Sequence, residues 1–304
     1  MLIQSTIRTH RPHSKTPQSL LALALRYVLL TLGVFMMMLP FLWALSVGIA
    51  KDPSAVVHLA DAAFNAAEGD FSLLGSALWP DELTLHWFER AFTDFPLLNY
   101  LNNSAILSSI TVILTLMLSI PAAFAFAQME FYGRNVIFII LLATIMIPSE
   151  ISIVPNYLTL GSMKLLNTYA AAMLPNIASA LGVFLLKQYF EQLPKETFDA
   201  ARVDGAKEWQ LLWHIAIPQS YPAITALAIM TTVLAWNDYL WPALVLKEAA
   251  KQPVTVSVFN MLTGPLSSIS NLVLATTMLA IIPVLLCLSL GQRFFLGGTQ
   301  TDPT

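Results

Sequence analysis

The sequence predicts an all-α integral membrane protein with six transmembrane helices. Of its 304 residues, 57% are hydrophobic and only 11% are charged, whereas about a quarter of the residues in soluble proteins are charged. Several uncharged runs also exceed the roughly 20 residues that an α-helix needs to cross the hydrocarbon layer of a bilayer. A large soluble core does not explain runs of this length. The runs cover residues 27–50, 95–129, 135–149, 165–186, 219–237 and 252–292.

Charge and cysteine content argue against other broad classes. The net charge of −3 does not point to a nucleic acid partner or to an acidic substrate. The single cysteine, Cys287, lies within the last apolar run, so there is no disulfide framework and we interpret the thiol as a packing residue. The first apolar run is too long for a signal peptide and lacks a small-residue cleavage site, so we interpret it as a retained helix.

The N-terminal part divides into a tail, a helix and a loop. Residues 1–26 form a basic tail that shows no apolar periodicity in its first part, and residues 27–50 form the first transmembrane helix. Residues 51–98 form the largest extramembrane loop, where eight acidic residues accompany only Lys51 and Arg90. Glycines and prolines within this loop break any long helix.

Residues 99–292 form the transmembrane core, which is followed by a tail at 293–304. A charged segment, residues 190–221, interrupts this core between two long apolar stretches. Prolines recur within or near the ends of the predicted spans, where membrane helices tolerate them as kinks. The five core helices are predicted at about 101–128, 136–153, 169–189, 222–246 and 272–292.

The distribution of basic residues predicts the orientation, because Lys and Arg accumulate in cytoplasmic segments. With the N-terminus inside, ten basic residues fall on the cytoplasmic side and five on the other. Both termini are therefore predicted to be cytoplasmic, and the charged segment is predicted to lie in the cytoplasm. The five on the far side are Lys51, Arg90, Lys164, Lys247 and Lys251.

Two short helices are predicted within the charged segment. Pro194 suits the first turn of a helix, and Gly205 can take the left-handed conformation that ends one. A second helix at about 207–214 would present Trp209 and Trp213 before Pro218 stops it. Small residues around Gly205 would let another protein approach closely. The alternative is an amphipathic helix that lies on the lipid surface.

The charged segment resembles a known family signature. DAARVDG at 199–205, followed after nine residues by IAIP at 215–218, is similar to the EAA motif of binding-protein-dependent ABC importer permeases. In that family the motif forms a coupling helix that docks on a cytoplasmic ATPase subunit. Asp199 stands where the motif usually has Glu. The resemblance assigns the coupling role to Phe198, Asp199, Ala200, Ala201, Asp204, Gly205, Ala206, Ile215 and Pro218.

The resemblance covers about residues 101–297, and over this range the sequence is similar to the maltose-permease type of carbohydrate importer subunit. It implies a type I ABC importer transmembrane domain in the cytoplasmic (inner) membrane. It also implies a second permease subunit, two ABC ATPase subunits and a periplasmic or lipid-anchored solute-binding protein as partners. The C-terminal TQTDPT does not resemble the family's longer ending. The matching motifs are NS at 103–104, MIPSE at 146–150, VPNY at 154–157, WNDYLWP at 236–242 and QRFFLG at 292–297.

The sequence contains no motif for catalysis. None of its twelve glycines is followed by lysine, so a GxxxxGK[ST] phosphate loop is absent. The sequence also lacks HExxH, paired cysteine clusters and GxSxG. We therefore predict neither an enzyme nor a bound cofactor, and we expect ATP hydrolysis to occur in a partner subunit.

A polar and aromatic cluster follows a 19-residue uncharged run in the fifth helix. Asn237, Asp238 and Trp241 are the candidate solute-pathway residues, because an ionisable group at membrane depth is a functional candidate and carbohydrates stack on aromatic rings. The alternative is an aromatic belt at the outer membrane interface. Among functions, import of a sugar is favoured. The alternatives are import of glycerol 3-phosphate or a polyol, and ion-coupled secondary transport.

Overall fold

The computed structural model describes residues 20–52, 61–62, 64–65, 67–68, 82–265 and 269–297, and for residues 20, 21 and 292–297 it describes the backbone alone. Most of the predicted tails, and much of the predicted 51–98 loop, lie outside these residues. Within them the structure is helical, and the only extended pairing is an isolated bridge between Ala50 and Leu83. The all-α prediction is therefore confirmed for the part of the chain that the structure describes.

Three helices are long and apolar enough to cross a membrane by themselves. Each contains one proline, which a membrane helix tolerates when neighbouring groups satisfy the freed carbonyl. α1 begins before the predicted start at Tyr27, and the last helix, α13, extends into the predicted tail. The three helices are α1 (Leu20–Ile49), α3 (Leu97–Gln128) and α13 (Ser270–Gly297).

The other predicted spans are bent or broken. α4 (Arg134–Ile145) meets the next helical segment at 94°. That segment begins with the 3-10 helix Ser149–Ser152 and continues as α5 (Ile153–Ser162). The break falls here because Pro148 offers no N–H and disfavours helix at Ile147. The continuous helix predicted at 136–153 is therefore wrong. Counting each bent helix pair as one span gives up to six spans in the described residues.

The predicted fourth and fifth spans are interrupted as well. α6 (Tyr169–Met173) continues as a 3-10 turn and meets α7 (Ala180–Phe190) at 47°. α10 (Tyr221–Asn237) ends just before Asp238, and α11 (Leu240–Val245) follows. Single helices over 169–189 and 222–246 are thus also wrong. The two interruptions lie side by side, at Asn176 and Asp238.

The long helix α3 forms the centre of the bundle, and it packs against α7 and α10. α13 packs against α1 and α10. α4 buries none of its residues, and most side chains of α1 are exposed and apolar. Exposed apolar faces of this length are what a helix in lipid requires.

Two helices at one end of the bundle were not predicted. α2 (His86–Thr93) lies in the predicted 51–98 loop, and α12 (Val254–Thr263) lies in the link before α13. Asn271 fastens α13 to the end of α1 by donating to the carbonyls of Val47 and Ala50 at 2.9 and 3.0 Å. We call this end of the bundle the far end and the end with residues 190–221 the charged end.

Candidate functional site

The first helix of the charged segment is α8 (Lys195–Val203), which follows Pro194. Its C-terminus has the hydrogen bonds of a Schellman cap. The N–H of Gly205 donates to the carbonyl of Arg202 at 3.0 Å, and the N–H of Ala206 donates to that of Ala201 at 2.9 Å. Gly205 has φ of +86°, so the predicted left-handed end of this helix is confirmed.

One aromatic ring anchors α8 to the bundle. Phe198 is completely buried, and its ring lies 6.4 Å from that of Phe124 on α3. Phe124 in turn lies 6.3 Å from Phe190 at the end of α7. Burying a phenylalanine side chain contributes roughly 1.5–3 kcal/mol, so this ring stabilises the packing of α8 against α3.

The opposite face of α8 is open and carries small, acidic or short apolar side chains. Asp199, Ala200 and Asp204 are exposed, and Val203 is 88% exposed. A Cβ atom added to Gly205 would meet no atom within 4 Å. The surface therefore offers a shallow face that a flat or grooved partner can approach closely.

Arg202 links α8 to its surroundings. Its guanidinium donates to both carboxylate oxygens of Glu208, to Asp199 and to the backbone carbonyl of Gln128. The hydrogen bonds with Glu208 raise the pKa of Arg202 above its ordinary value, so the side chain stays cationic. The sequence placed Arg202 on this helix but did not reveal its reach to α3.

The second helix of the segment, α9 (Glu208–Gln219), lies at 80° to α10. Leu211, Leu212 and Ala216 are buried against the bundle, with the predicted coupling residue Ile215 half-buried beside them. Pro218 does not stop this helix, contrary to the prediction. A π-helical stretch, Leu212–Ala216, precedes the proline, and such bulges accommodate a break in the regular hydrogen-bond ladder.

Trp209 and Trp213 form the exposed side of α9. Their rings meet edge to face with centroids 5.5 Å apart, and both are more than half exposed. Pro218 is exposed further along the same helix. The charged segment is therefore two short helices, each held by buried apolar residues and each presenting an exposed face.

The two interrupted spans meet at Asn176 and Asp238. Asn176 ends the 3-10 turn after α6, and Asp238 is the first residue after α10. The Asn176 amide donates to the Asp238 carboxylate at 3.3 Å. Thr111 of α3 lines the same small cavity, of about 20 Å³, which is enough space for a single water molecule. Sequence reasoning missed Asn176, although its position after Pro175 signalled a helix break.

The two tryptophans next to Asp238 are packing residues. Trp241 is only 7% exposed and donates its indole N–H to the Ala171 carbonyl at 3.0 Å. Trp236 is equally buried and donates to the Ala280 carbonyl at 3.3 Å. A lipid-facing aromatic belt requires exposed rings, so that alternative does not describe these tryptophans. Asn237, in contrast, is exposed.

Comparison with known proteins agrees with this architecture. A solved bacterial ABC transporter involved in the import of the acidic polysaccharide alginate superposes with a TM-score of 0.74 at 22% sequence identity, covering 90% of this chain and 95% of that one. At this identity the likeness shows the fold alone. The chain thus has the fold of a type I ABC importer transmembrane domain.

Several transport permeases are more similar to this chain in sequence than that structure is. The lactose transport system permease protein LacG of Rhizobium radiobacter is 31% identical over 90% of this chain and 93% of its own. The arabinooligosaccharides transport system permease protein AraQ of Halalkalibacterium halodurans is 34% identical over 72% and 78%. The sn-glycerol-3-phosphate transport system permease protein UgpE of Yersinia pestis is 33% identical over 64% and 70%.

The family match includes the whole charged segment and both interrupted spans. Residues 116–296 match the family described as the binding-protein-dependent transport system inner membrane component. This range contains α8, α9 and the junction at Asn176 and Asp238. The chain therefore belongs to the family of inner membrane components of binding-protein-dependent transport systems, as a multi-pass membrane permease subunit.

Proposed function

We propose that this chain is the permease subunit of an ATP-driven importer that moves a sugar or related carbohydrate across the cytoplasmic membrane. The observation that carries the proposal is the arrangement of α8. This short helix is anchored by Phe198 on one face, is open on the opposite face, and is terminated by Gly205. Family membership and relatives named for lactose and arabinooligosaccharide transport support it.

We expect partner proteins to supply ATP hydrolysis, the rest of the pathway and delivery of the solute. One of two cytoplasmic ATPase subunits binds the exposed face of α8, a second permease subunit completes the pathway, and a solute-binding protein delivers the solute. Both termini and the charged segment are cytoplasmic. ATP binding and hydrolysis shift the complex between outward-open and inward-open states, because the nucleotide stabilises one state more than the other.

The coupling role can be tested by adding charge to the open face. Ala200→Asp should abolish recruitment of the ATPase subunits to the solubilised complex and should abolish uptake. The matched control is Gln192→Asp, which adds the same charge to an exposed position of the same segment ahead of α8. Normal recruitment and uptake by the Ala200→Asp complex would refute the coupling role.

We further propose that the solute passes the junction of Asn176, Asn237 and Asp238. Interrupted membrane helices expose polar groups at membrane depth, and transporters use such interruptions to bind solutes. Amide and carboxylate groups hydrogen-bond sugar hydroxyls. Trp241, the third predicted pathway residue, joins α11 to α6 through its bond to the Ala171 carbonyl.

The Asp238 carboxylate also bears on solute choice. A carboxylate near the path repels an anion, which favours a neutral sugar or polyol over glycerol 3-phosphate. Asp238→Asn and Asn176→Ala should raise the solute concentration needed for half-maximal uptake without reducing assembly. Asn260→Ala, which removes an exposed amide on the neighbouring α12, is the control. Unchanged uptake kinetics in both junction variants would remove this site from the pathway.

A further inference from the structure

We propose that Arg202 is the positioning residue that transmits movement of α8 to the membrane helix α3. This inference rests on the proposed coupling function of α8. It concerns how the docked helix moves the bundle rather than what α8 binds. At the charged end, the side chain of Arg202 hydrogen-bonds residues of α8, α9 and α3 together.

The guanidinium makes a fork with one carboxylate and a third contact on its own helix. Its Nε lies 3.0 Å from Glu208 Oε1 and its Nη2 lies 3.3 Å from Glu208 Oε2. Its Nη1 lies 3.3 Å from Asp199 Oδ1. Two parallel bonds fix the plane of the guanidinium as well as its position. α8 and the start of α9 are therefore oriented relative to each other.

The fourth contact reaches the bundle. Arg202 Nη2 lies 3.1 Å from the backbone carbonyl of Gln128, the last residue of α3. The final carbonyls of a helix have no partner within the helix and carry its partial negative charge. A cation is therefore favoured at this position. The bond joins α8 to the end of the central helix of the bundle.

Gln128 extends the connection to a second membrane helix. Its side-chain amide donates to the carbonyl of Phe190, the last residue of α7, at 2.7 Å. A directional chain of hydrogen bonds thus runs from α8 through Arg202 and Gln128 to the ends of α3 and α7. These two helices pack against each other along the charged half of the bundle.

The Phe198 ring also links α8 to the bundle, but by apolar packing. The Phe198 ring resists separation of α8 from α3, but apolar packing is not directional and leaves α8 able to rotate about the ring. Arg202 removes that freedom. Lysine cannot replace it fully, because an ammonium group cannot make the planar fork while also reaching the Gln128 carbonyl.

The structure also indicates that removing Arg202 leaves a folded segment. Asp199 and Glu208 are exposed enough for water to solvate their carboxylates, with side-chain exposures of 73% and 41%. Phe198 and the Gly205 cap remain in place. The expected defect is therefore in the transmission of movement rather than in assembly.

The test uses the complete complex in proteoliposomes and measures solute imported per ATP hydrolysed. For Arg202→Gln we expect this ratio to fall at least about fivefold, the lower end of typical coupling between sites, while the ATPase subunits remain bound. Arg202→Lys should give an intermediate ratio. The control is Arg134→Gln, because Arg134 also donates to a backbone carbonyl after α3, that of Met129, at 3.0 Å.

A double-mutant cycle gives a second readout. Glu208→Ala should lower the ratio in the same direction, and the double variant should be no worse than Arg202→Gln alone, because both changes break one connection. If Arg202→Gln fails to assemble, Arg202→Lys decides the question, since it keeps the positive charge but cannot make the fork while also reaching the Gln128 carbonyl. A normal ratio in Arg202→Lys then overturns the proposal.

Failure of this inference is distinguishable from failure of the proposed function. Loss of coupling in Ala200→Asp together with a normal ratio in Arg202→Gln retains α8 as the coupling helix and overturns the role of Arg202. A ratio that falls equally in Arg134→Gln overturns it too. Normal coupling in Ala200→Asp instead refutes the function of α8 itself.

Discussion

The Tyr169 hydroxyl donates a 2.7 Å hydrogen bond to the side-chain carbonyl of Asn103. The amide of Asn103 donates in turn to the backbone carbonyls of Ala250 and Gln252, at 2.8 and 2.9 Å. Asn103 is only 2% exposed, and next to it the Ser104 hydroxyl accepts from the N–H of Val254 at 2.8 Å. These bonds join α3, α6 and the segment before α12 at the far end of the bundle.

Asn103→Leu should destabilise the far end. Leucine keeps approximately the volume but leaves the Tyr169 hydroxyl and the Gln252 carbonyl without the Asn103 partner, and the Ala250 carbonyl keeps only its bond from Asn99. An unsatisfied buried group costs roughly 1–3 kcal/mol. We expect the free energy of unfolding in mixed detergent micelles to fall by about 3 kcal/mol. Asn99→Ala is the control, because Asn99 bonds the same Ala250 carbonyl from an exposed position. If both variants lost the same free energy of unfolding, the burial of Asn103 would not explain its contribution.

Substitutions at Gly205 test the cost of its backbone conformation alone, because a Cβ atom at this position would contact no neighbouring atom. Gly205→Ala should reduce stability by about 1 kcal/mol, because an L-residue pays for the left-handed conformation while its methyl group meets open space. Gly205→Asn should cost less, since asparagine tolerates this conformation. Gly161→Ala, at a helical glycine without positive φ, should be neutral or stabilising. Thermal unfolding measures all three, and a cost for asparagine as large as for alanine would contradict this reason.

The membrane class and the charged segment could be predicted because they depend on local signals. Uncharged runs of sufficient length produced α1, α3 and α13, and the pairing of Pro194 with Gly205 located α8. The EAA-like residues then indicated the family. Each of these features is encoded within about 30 neighbouring residues, so no knowledge of distant contacts was needed.

The interruptions and the long-range hydrogen bonds could not be predicted in the same way. Asn176 and Asp238 lie on different spans, and Arg202 bonds Gln128 across a long separation in the chain. Hydropathy treats α10 and α11 as one run because Asn237 and Asp238 are only two polar residues within it. Burial of Trp236 and Trp241 likewise depends on the carbonyls of Ala280 and Ala171, which only the folded bundle brings near.

Trp241 and Trp236 make a matched pair for separating packing from solute contact. Trp241→Phe should lower the free energy of unfolding by roughly 1–3 kcal/mol, because the Ala171 carbonyl loses a buried donor. It should leave the solute concentration for half-maximal uptake unchanged. Trp236→Phe should cost less, since its bond to Ala280 is longer and only partly buried. A changed solute preference in Trp241→Phe would instead indicate direct contact with the solute.

Gly182 shows how closely α7 approaches α10. A Cβ atom at this position would lie 3.0 Å from the Ser179 hydroxyl and 3.1 Å from both methyl groups of Leu227, and Leu227 is almost fully buried. Gly182→Val should therefore destabilise the bundle by about 1–3 kcal/mol through overpacking. Leu227→Ala alone should cost about 2–5 kcal/mol because it leaves a cavity.

Combined, the two changes should partly compensate, because the valine occupies space that the leucine vacates. We expect the loss in the Gly182→Val, Leu227→Ala double variant to be at least about 1 kcal/mol smaller than the sum of the single losses. Gly161→Val combined with Leu227→Ala is the control. Gly161 packs against Leu166 in a different cluster from that of Leu227, so these two losses should add. Simple additivity in the Gly182 pair would show that α7 and α10 separate to accept the valine, and that Leu227 does not set their distance.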